Sequence, residues 1–125
     1  MKLNTKTLEK RFLQIGDQKN EKNPLIIAKF FSPVGGATWY ASEYEPKTKI
    51  CFGYVKDLVP SENGMFDEWG SFSIEELESV QLPLGLNIER DVHFQETRFN
   101  NLMQKNQRLS ELSKNKTSEQ SLERE

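Results

Sequence analysis

Three apolar runs crowd the first half of the chain, and the connections between them are short. "LIIAKFF" (Leu25–Phe31), "ATWYASEYE" (Ala37–Glu45) and "ICFGYVKDL" (Ile50–Leu58) are rich in aromatic and β-branched residues and are separated by "SPVGG" and "EPKTK". Such runs, punctuated by Gly, Pro and Lys, read as strands joined by turns. A parallel pair needs a crossover of a dozen or more residues, so these turns predict an antiparallel meander. The first run is nearly continuous in apolar residues, which predicts cover on both faces of the sheet. Gly53, inside the third, marks a bulge or a close backbone approach.

Helical spacing flanks this block. In "TLEKRFLQIG", Leu8, Phe12 and Ile15 recur on one side with Leu13 nearby, and Gly16 ends the pattern. "DQKNEKNP" and "VPSENGMFDE" read as loops, and a short strand is predicted near "WGSFS". Ser73 and Glu76 then form a capping-box pattern at the start of "SIEELESV". Glu75 and Glu76 suit the positive end of that helix, and Ile74, Leu77 and Val80 face inward. "QLPLG" ends it, and "LNIERDVHF" (Leu86–Phe94) is the last predicted strand.

The expected class is α+β, an antiparallel sheet of four to five strands with two short helices packed on it. Residues 1–98 form this single domain, and 99–125 a C-terminal amphipathic helix with a disordered end. Phe99, Leu102, Met103, Leu109 and Leu112 make a thin apolar stripe that packs on the core or meets a partner. A homodimer through Phe99, Leu102 and Leu109 is the corresponding partner expectation. Beyond Ser113 only one apolar residue remains, which predicts a mobile end.

Net charge is −2, but unevenly spread: +3 over residues 1–23, −6 over 24–95 and +1 over 96–125. An acidic centre repels phosphate and makes the core a poor nucleic-acid footprint. The single cysteine, Cys51, sits in an apolar run and reads as a buried, inert thiol. No continuous apolar segment approaches a membrane span, and the chain reads as soluble and cytoplasmic.

Strict strand alternation would put Trp39, Ala41, Glu43 and Glu45 on one face and Thr38, Tyr40, Ser42 and Tyr44 on the other. The two glutamates then lie roughly 6.5–7 Å apart, a spacing compatible with paired carboxylates. In the last strand, alternation sets Ile88, Arg90, Val92 and Phe94 against Glu89, Asp91 and His93, whose oxygen and nitrogen donors suit a divalent metal. The plainer readings are a wet strand end at Pro46 and a charged edge strand. Arg90, on the apolar side, is expected to clamp a core-edge carboxylate, Glu43 or Glu78. "PVGGAT" lacks the lysine and helix of a phosphate loop, and no nucleophile elbow is present. No cofactor is expected.

Four phrases recur in order: "AKFFSPVGGATWYASEYEP", "CFGYV", "GSFSIEELESV" and "PLGLNIERDVHF". Together they resemble a family of small uncharacterised bacterial proteins, classed as a domain of unknown function and commonly encoded on plasmids and integrative conjugative elements. The resemblance spans about residues 8–95 and leaves the tail beyond about Phe99 outside it. It implies an accessory protein of mobile DNA and brings no catalytic residues. At "EWGSF" the family pattern often has an acidic–Leu–Gly–Tyr–Phe phrase, so Trp69 and Ser71 are local variants.

The leading functional expectation is a non-enzymatic binding protein of a mobile element. Its surface would combine Trp39, Tyr40 and Trp69 with Glu43, Glu45, Asp67 and Glu68, since Trp and Tyr are frequent interface anchors. Such an acidic, aromatic face can imitate nucleic acid toward a host defence or DNA-processing factor. Two alternatives stand beside it. One is a metal-dependent hydrolase or nuclease using Glu43, Glu45, Glu89, Asp91 and His93; the other is DNA binding through the basic termini.

Overall fold

The computed structural model describes residues 2–58, 64 and 66–123, with side chains described as far as residue 113. Part of the predicted loop after Leu58 (residues 59–63 and 65) and the last two residues lie outside the described residues.

The first helix, α1 (Lys6–Ile15), starts where Thr5 Oγ1 accepts from the Leu8 N–H at 3.2 Å. It stops at Gly16, whose φ of 70° suits a residue without Cβ and whose N–H returns to the Phe12 carbonyl at 2.8 Å. Leu8, Phe12 and Ile15 turn to the core, while Leu13 falls outside the stripe and is exposed.

The meander forms as the turn lengths require. Strands β2 (Ala28–Phe31), β3 (Thr38–Glu45), β4 (Ile50–Lys56) and β5 (Glu68–Ser73) pair antiparallel in sequence order. The helix α2 (Ile74–Ser79) follows β5 without a gap, capped by Ser73 Oγ accepting from the Glu76 N–H at 3.2 Å. A short 3-10 turn at Pro83–Gly85 leads to β6 (Glu89–Arg90), which pairs with the free side of β2. The sheet order is therefore β5-β4-β3-β2-β6. A second ladder joins β1 (Leu25–Ile26) to β7 (Thr97–Arg98), and α3 (Phe99–Glu123) ends the described chain.

Both faces of the sheet are covered. On one side Trp39, Ala41, Cys51, Phe30 and Ile88 pack with Phe12 of α1 and Ile74 and Leu77 of α2. On the other, Ile26 and Tyr40 pack with Leu102 of α3, and Tyr54, Trp69, Phe94, Phe99 and Met103 join them. The run "LIIAKFF" serves both sides, with Ile26 on the second and Ile27, Ala28 and Phe30 on the first. Full burial of a side chain such as Phe30 contributes about 1.5–3 kcal/mol.

One irregularity in β3 reorganises its faces. The ladder to β4 runs Ala41↔Gly53 and then Glu43↔Phe52, so Ser42 is an extra residue, a β-bulge. Alternation restarts one residue out of phase. Tyr44, opposite Cys51, joins the face of Trp39 and Ala41, and Phe12 packs on it at 5.7 Å between ring centroids. Glu43, opposite Phe52, moves to the face of Tyr40 and Trp69. The expected grouping of Trp39 with both glutamates is thus corrected. Gly53 is the glycine this needs: a Cβ there would overlap the Tyr40 carbonyl oxygen.

Two further expectations change. The last strand is two residues long, because Asp91 turns the chain: its Oδ1 accepts from the His93 N–H at 3.0 Å and its carbonyl from the Phe94 N–H at 3.2 Å. Ile88 and Phe94 consequently pack on opposite sides of the sheet. In the tail, Phe99 and Leu102 of the stripe are used within the chain, whereas Leu109 and Leu112 are exposed. The described backbone of α3 runs from Phe99 to Glu123. Among the described residues no helix is long and apolar enough to cross a membrane.

Candidate interaction surface

The bulge decides where the acidic residues of β3 go. Ser42 Oγ donates to the Phe52 carbonyl at 3.1 Å and its own carbonyl accepts from Gln18 Nε2 at 2.9 Å. Gln18 stitches the loop after α1 to the bulge. Its Nε2 also donates to the Leu25 carbonyl, its Oε1 accepts from the Leu25 N–H, and its own N–H donates to Glu43 Oε1 at 2.9 Å. One oxygen of Glu43 thus holds a backbone N–H that would otherwise be unpaired. Glu45 Oε1 accepts from the Lys47 N–H at 3.0 Å and closes the turn to β4.

Beside Glu43, the second face of the sheet ends in an aromatic cluster. Phe52 stacks on Trp69, with centroids 6.0 Å apart and planes 20° from parallel. Trp69 packs against Phe99 at 4.7 Å and Tyr54 at 5.6 Å, and Tyr54 meets Phe99 at 5.0 Å. Burial pushes the Tyr54 hydroxyl pKa up, and the carboxylates of Asp67 and Asp57 add to the shift. Phe52 is the outermost ring, 39% exposed. A groove of ≈ 390 Å³ runs over it between the Gln18–Pro24 loop, Glu43, Trp69 and Phe99. A second groove of ≈ 420 Å³ shares Lys19, Glu43 and Phe52 with it.

The structure brings together part of the expected surface. Glu43 and Phe52 line both grooves, with Glu45 in one and Trp69 in the other, and Phe52 takes the place expected of Trp39 and Tyr40. Those two are buried, 6% and 4% exposed, on opposite faces of the sheet and cannot act as surface anchors. Glu68, opposite Val55, points to the first face at the far end of β5. Asp67 is engaged in the β4–β5 connection, where its Oδ1 accepts from the Asp57 N–H at 2.8 Å.

The other candidates separate. Glu89 and Asp91 bracket the end of β6, Asp91 sits 3.7 Å from Lys29 Nζ, and His93 is exposed beyond the turn. Among the described residues no three His, Cys, Asp or Glu side chains group as a metal site. Cys51 lies three strand positions from β6, about 14 Å, and its thiol pKa is pushed up to about 12 by burial. Arg90 Nη1 donates to the Leu3 carbonyl at 3.4 Å, and Glu78, one of the two carboxylates expected to meet it, accepts from the Leu3 N–H at 3.3 Å. Arginine and glutamate thus grip the same buried residue from its two sides.

Sequence reasoning missed two features. Gln18 sits in an ordinary polar loop and nothing in its neighbours marks it as a hub. Arg11 forks onto Glu96 at 2.8 Å across a sequence distance of 85 residues, roofing a groove of ≈ 640 Å³ between α1 and the segment after β6.

The model of the family described as "Protein of unknown function (DUF2958)" matches residues 3–115 of the chain. The match runs past the 8–95 span of the resemblance and takes in the part of α3 that packs on the sheet. No curated protein and no solved structure matches.

Proposed function

Because the chain belongs to this family of unknown function, we propose its role from its surface: it is a non-enzymatic accessory protein that engages another protein through Glu43, Glu45, Phe52 and Trp69. The mobile-element setting comes from the resemblance and gives the partner a place, a host defence or DNA-processing factor. One observation carries the reading. Phe52 stands in water, stacked on Trp69 and next to carboxylates, although its neighbours Tyr54 and Phe99 are packed. An exposed ring backed by rigid aromatics loses little conformational freedom on binding, which is what an interface anchor needs.

The test is a pull-down from host lysate with wild type, Phe52→Ala and Glu43→Lys/Glu45→Lys. Loss of a specific partner in both variants, at unchanged circular dichroism, is the expected result. Retention of every partner would remove this surface from consideration.

A further inference from the structure

Among the described residues, one long edge of the five-stranded sheet pairs with no further strand. Strand β5 pairs with β4 over six consecutive positions, Val55↔Glu68 to Ile50↔Ser73, without a register shift. Among the described residues its backbone pairs with no other strand, and no turn or loop bond reaches it. Proteins usually blunt such an edge with lysine, proline, a bulge or a very short strand. In β5 the only charge is Glu68 at its start, Gly70 has open space where a Cβ would stand, and Ser71 is small and exposed.

Carboxylates predominate around this edge, and one of them, Glu75, is paired with Lys49 at 3.0 Å. From Asp57 to Ser79 the chain carries seven carboxylates and no lysine, arginine or histidine. Asp67 and Glu68 stand before the strand, and Glu75 and Glu76 directly after it. A second copy pairing edge to edge would bring two such acidic stretches together, so like charges oppose self-association there. The complement of this edge is a basic strand.

We infer that the outer side of β5 receives an extended, lysine- or arginine-bearing segment of a partner protein as a sixth strand of the sheet. The inference rests on the protein-binding reading above and specifies its partner. Main-chain bonds to β5 supply the pairing, and alternate side chains of the incoming strand reach Trp69 and Ser71 on one face and Glu68 on the other.

Fluorescence anisotropy on the full chain tests this with labelled peptides. The parent probe alternates valine and lysine; one counterpart carries glutamate for lysine, and another is N-methylated along both edges. The expected result is saturable binding of the lysine peptide, weakened about tenfold or more in both counterparts and by Ser71→Lys in the protein. Equal binding of the N-methylated peptide would show attraction by charge alone and overturn the strand pairing. If Phe52→Ala still weakened that binding, the surface under Proposed function would stand without the edge. Equal binding of the glutamate peptide overturns the basic class. A wild-type dimer in sedimentation that Ser71→Lys dissociates assigns the edge to a second copy instead, and also overturns the inference.

Discussion

The two edges of the main sheet are built on different plans. At one end β6 spans two residues, Glu89 and Arg90, and the chain turns away at Asp91, which also faces Lys29 across an ion pair. Short length, charge and a turn are all devices that stop a sheet from growing. At the other end β5 runs six residues in regular register with glycine and serine at its middle. Overall stability accounts for a closed edge more easily than for an open one. The open edge also lies beside the exposed Phe52, since Phe52 pairs with Ser71. An exposed ring thus lies beside a strand edge that pairs with no further strand among the described residues, which is the surface proposed to receive the partner.

The largest effect on this contrast should come from the middle of the sheet. Gly53 lets β4 pass under the Tyr40 carbonyl at the bulge, and β5 takes its position from β4. Gly53→Ala is expected to lower stability by about 3 kcal/mol, the upper end for forced overpacking. Urea unfolding measures it; a midpoint unchanged from wild type would show that the bulge relaxes at no cost and that its register does not hold the open edge in place.

The closed edge is expected to respond less. Arg90 holds the Leu3 carbonyl from β6, and Leu3 lies in the first core. Arg90→Met should cost about 1.5 kcal/mol, the low end for a hydrogen bond with a charged donor because the arginine is half-buried. The loss should appear with Glu78→Gln as well, and the two together should be less than additive, since both act on one residue. Unchanged stability in Arg90→Met would show that β6 closes the sheet without this clamp.

Much of this architecture was legible because local rules dominate it. The turns at "SPVGG" and "EPKTK" force a meander, Ser73 marks a helix start by its hydroxyl, and the double-sided "LIIAKFF" announces cover on both faces. The candidate surface was less legible. A bulge at Ser42 reverses every later face assignment in β3, and its cause lies in distant partners, Gln18 and the Phe52 carbonyl. Trp39 and Tyr40 look like surface anchors in the sequence because alternation gives one of them to water; the packing of α3 on the second face removes that choice. The brevity of β6 is set by the side chain of Asp91 bonding two residues ahead, a choice that hydrophobic alternation over Leu86–Phe94 conceals.

Cys51 reports on whether the open edge stays attached. It sits on β4 opposite Phe72 of β5. Its folded pKa of about 12 lies above that of an unfolded thiol, so the neutral form is favoured in the fold. The sign follows: the stability linked to this group is complete below the unfolded thiol pKa of about 8.5 and is lost as pH rises toward 12. At pH 8 labelling by iodoacetamide should be no faster than global unfolding permits. Labelling well above that rate, with α1 still protected from hydrogen exchange, would mean that β5 opens on its own.

The smallest expected effect on stability is the one that closes the open edge. Ser71 is exposed and lies opposite Phe52 with no hydrogen bond from its side chain among the described residues. Ser71→Lys should therefore change the urea midpoint by less than about 0.5 kcal/mol, the usual range for a surface position. A lysine there supplies the charge that edge strands commonly carry, and the groove it enters holds Glu43 and Glu45 against the cation of Lys19, so attraction outweighs repulsion within the fold. The same change made at the closed edge, Val92→Lys, is also expected to be neutral, because Val92 is exposed beyond the end of β6. The difference between the two variants lies in function alone: partner capture should fall in Ser71→Lys and persist in Val92→Lys. Equal loss in both would erase the distinction between the edges, and a stability loss above about 2 kcal/mol in Ser71→Lys would show that this backbone is already engaged within the chain.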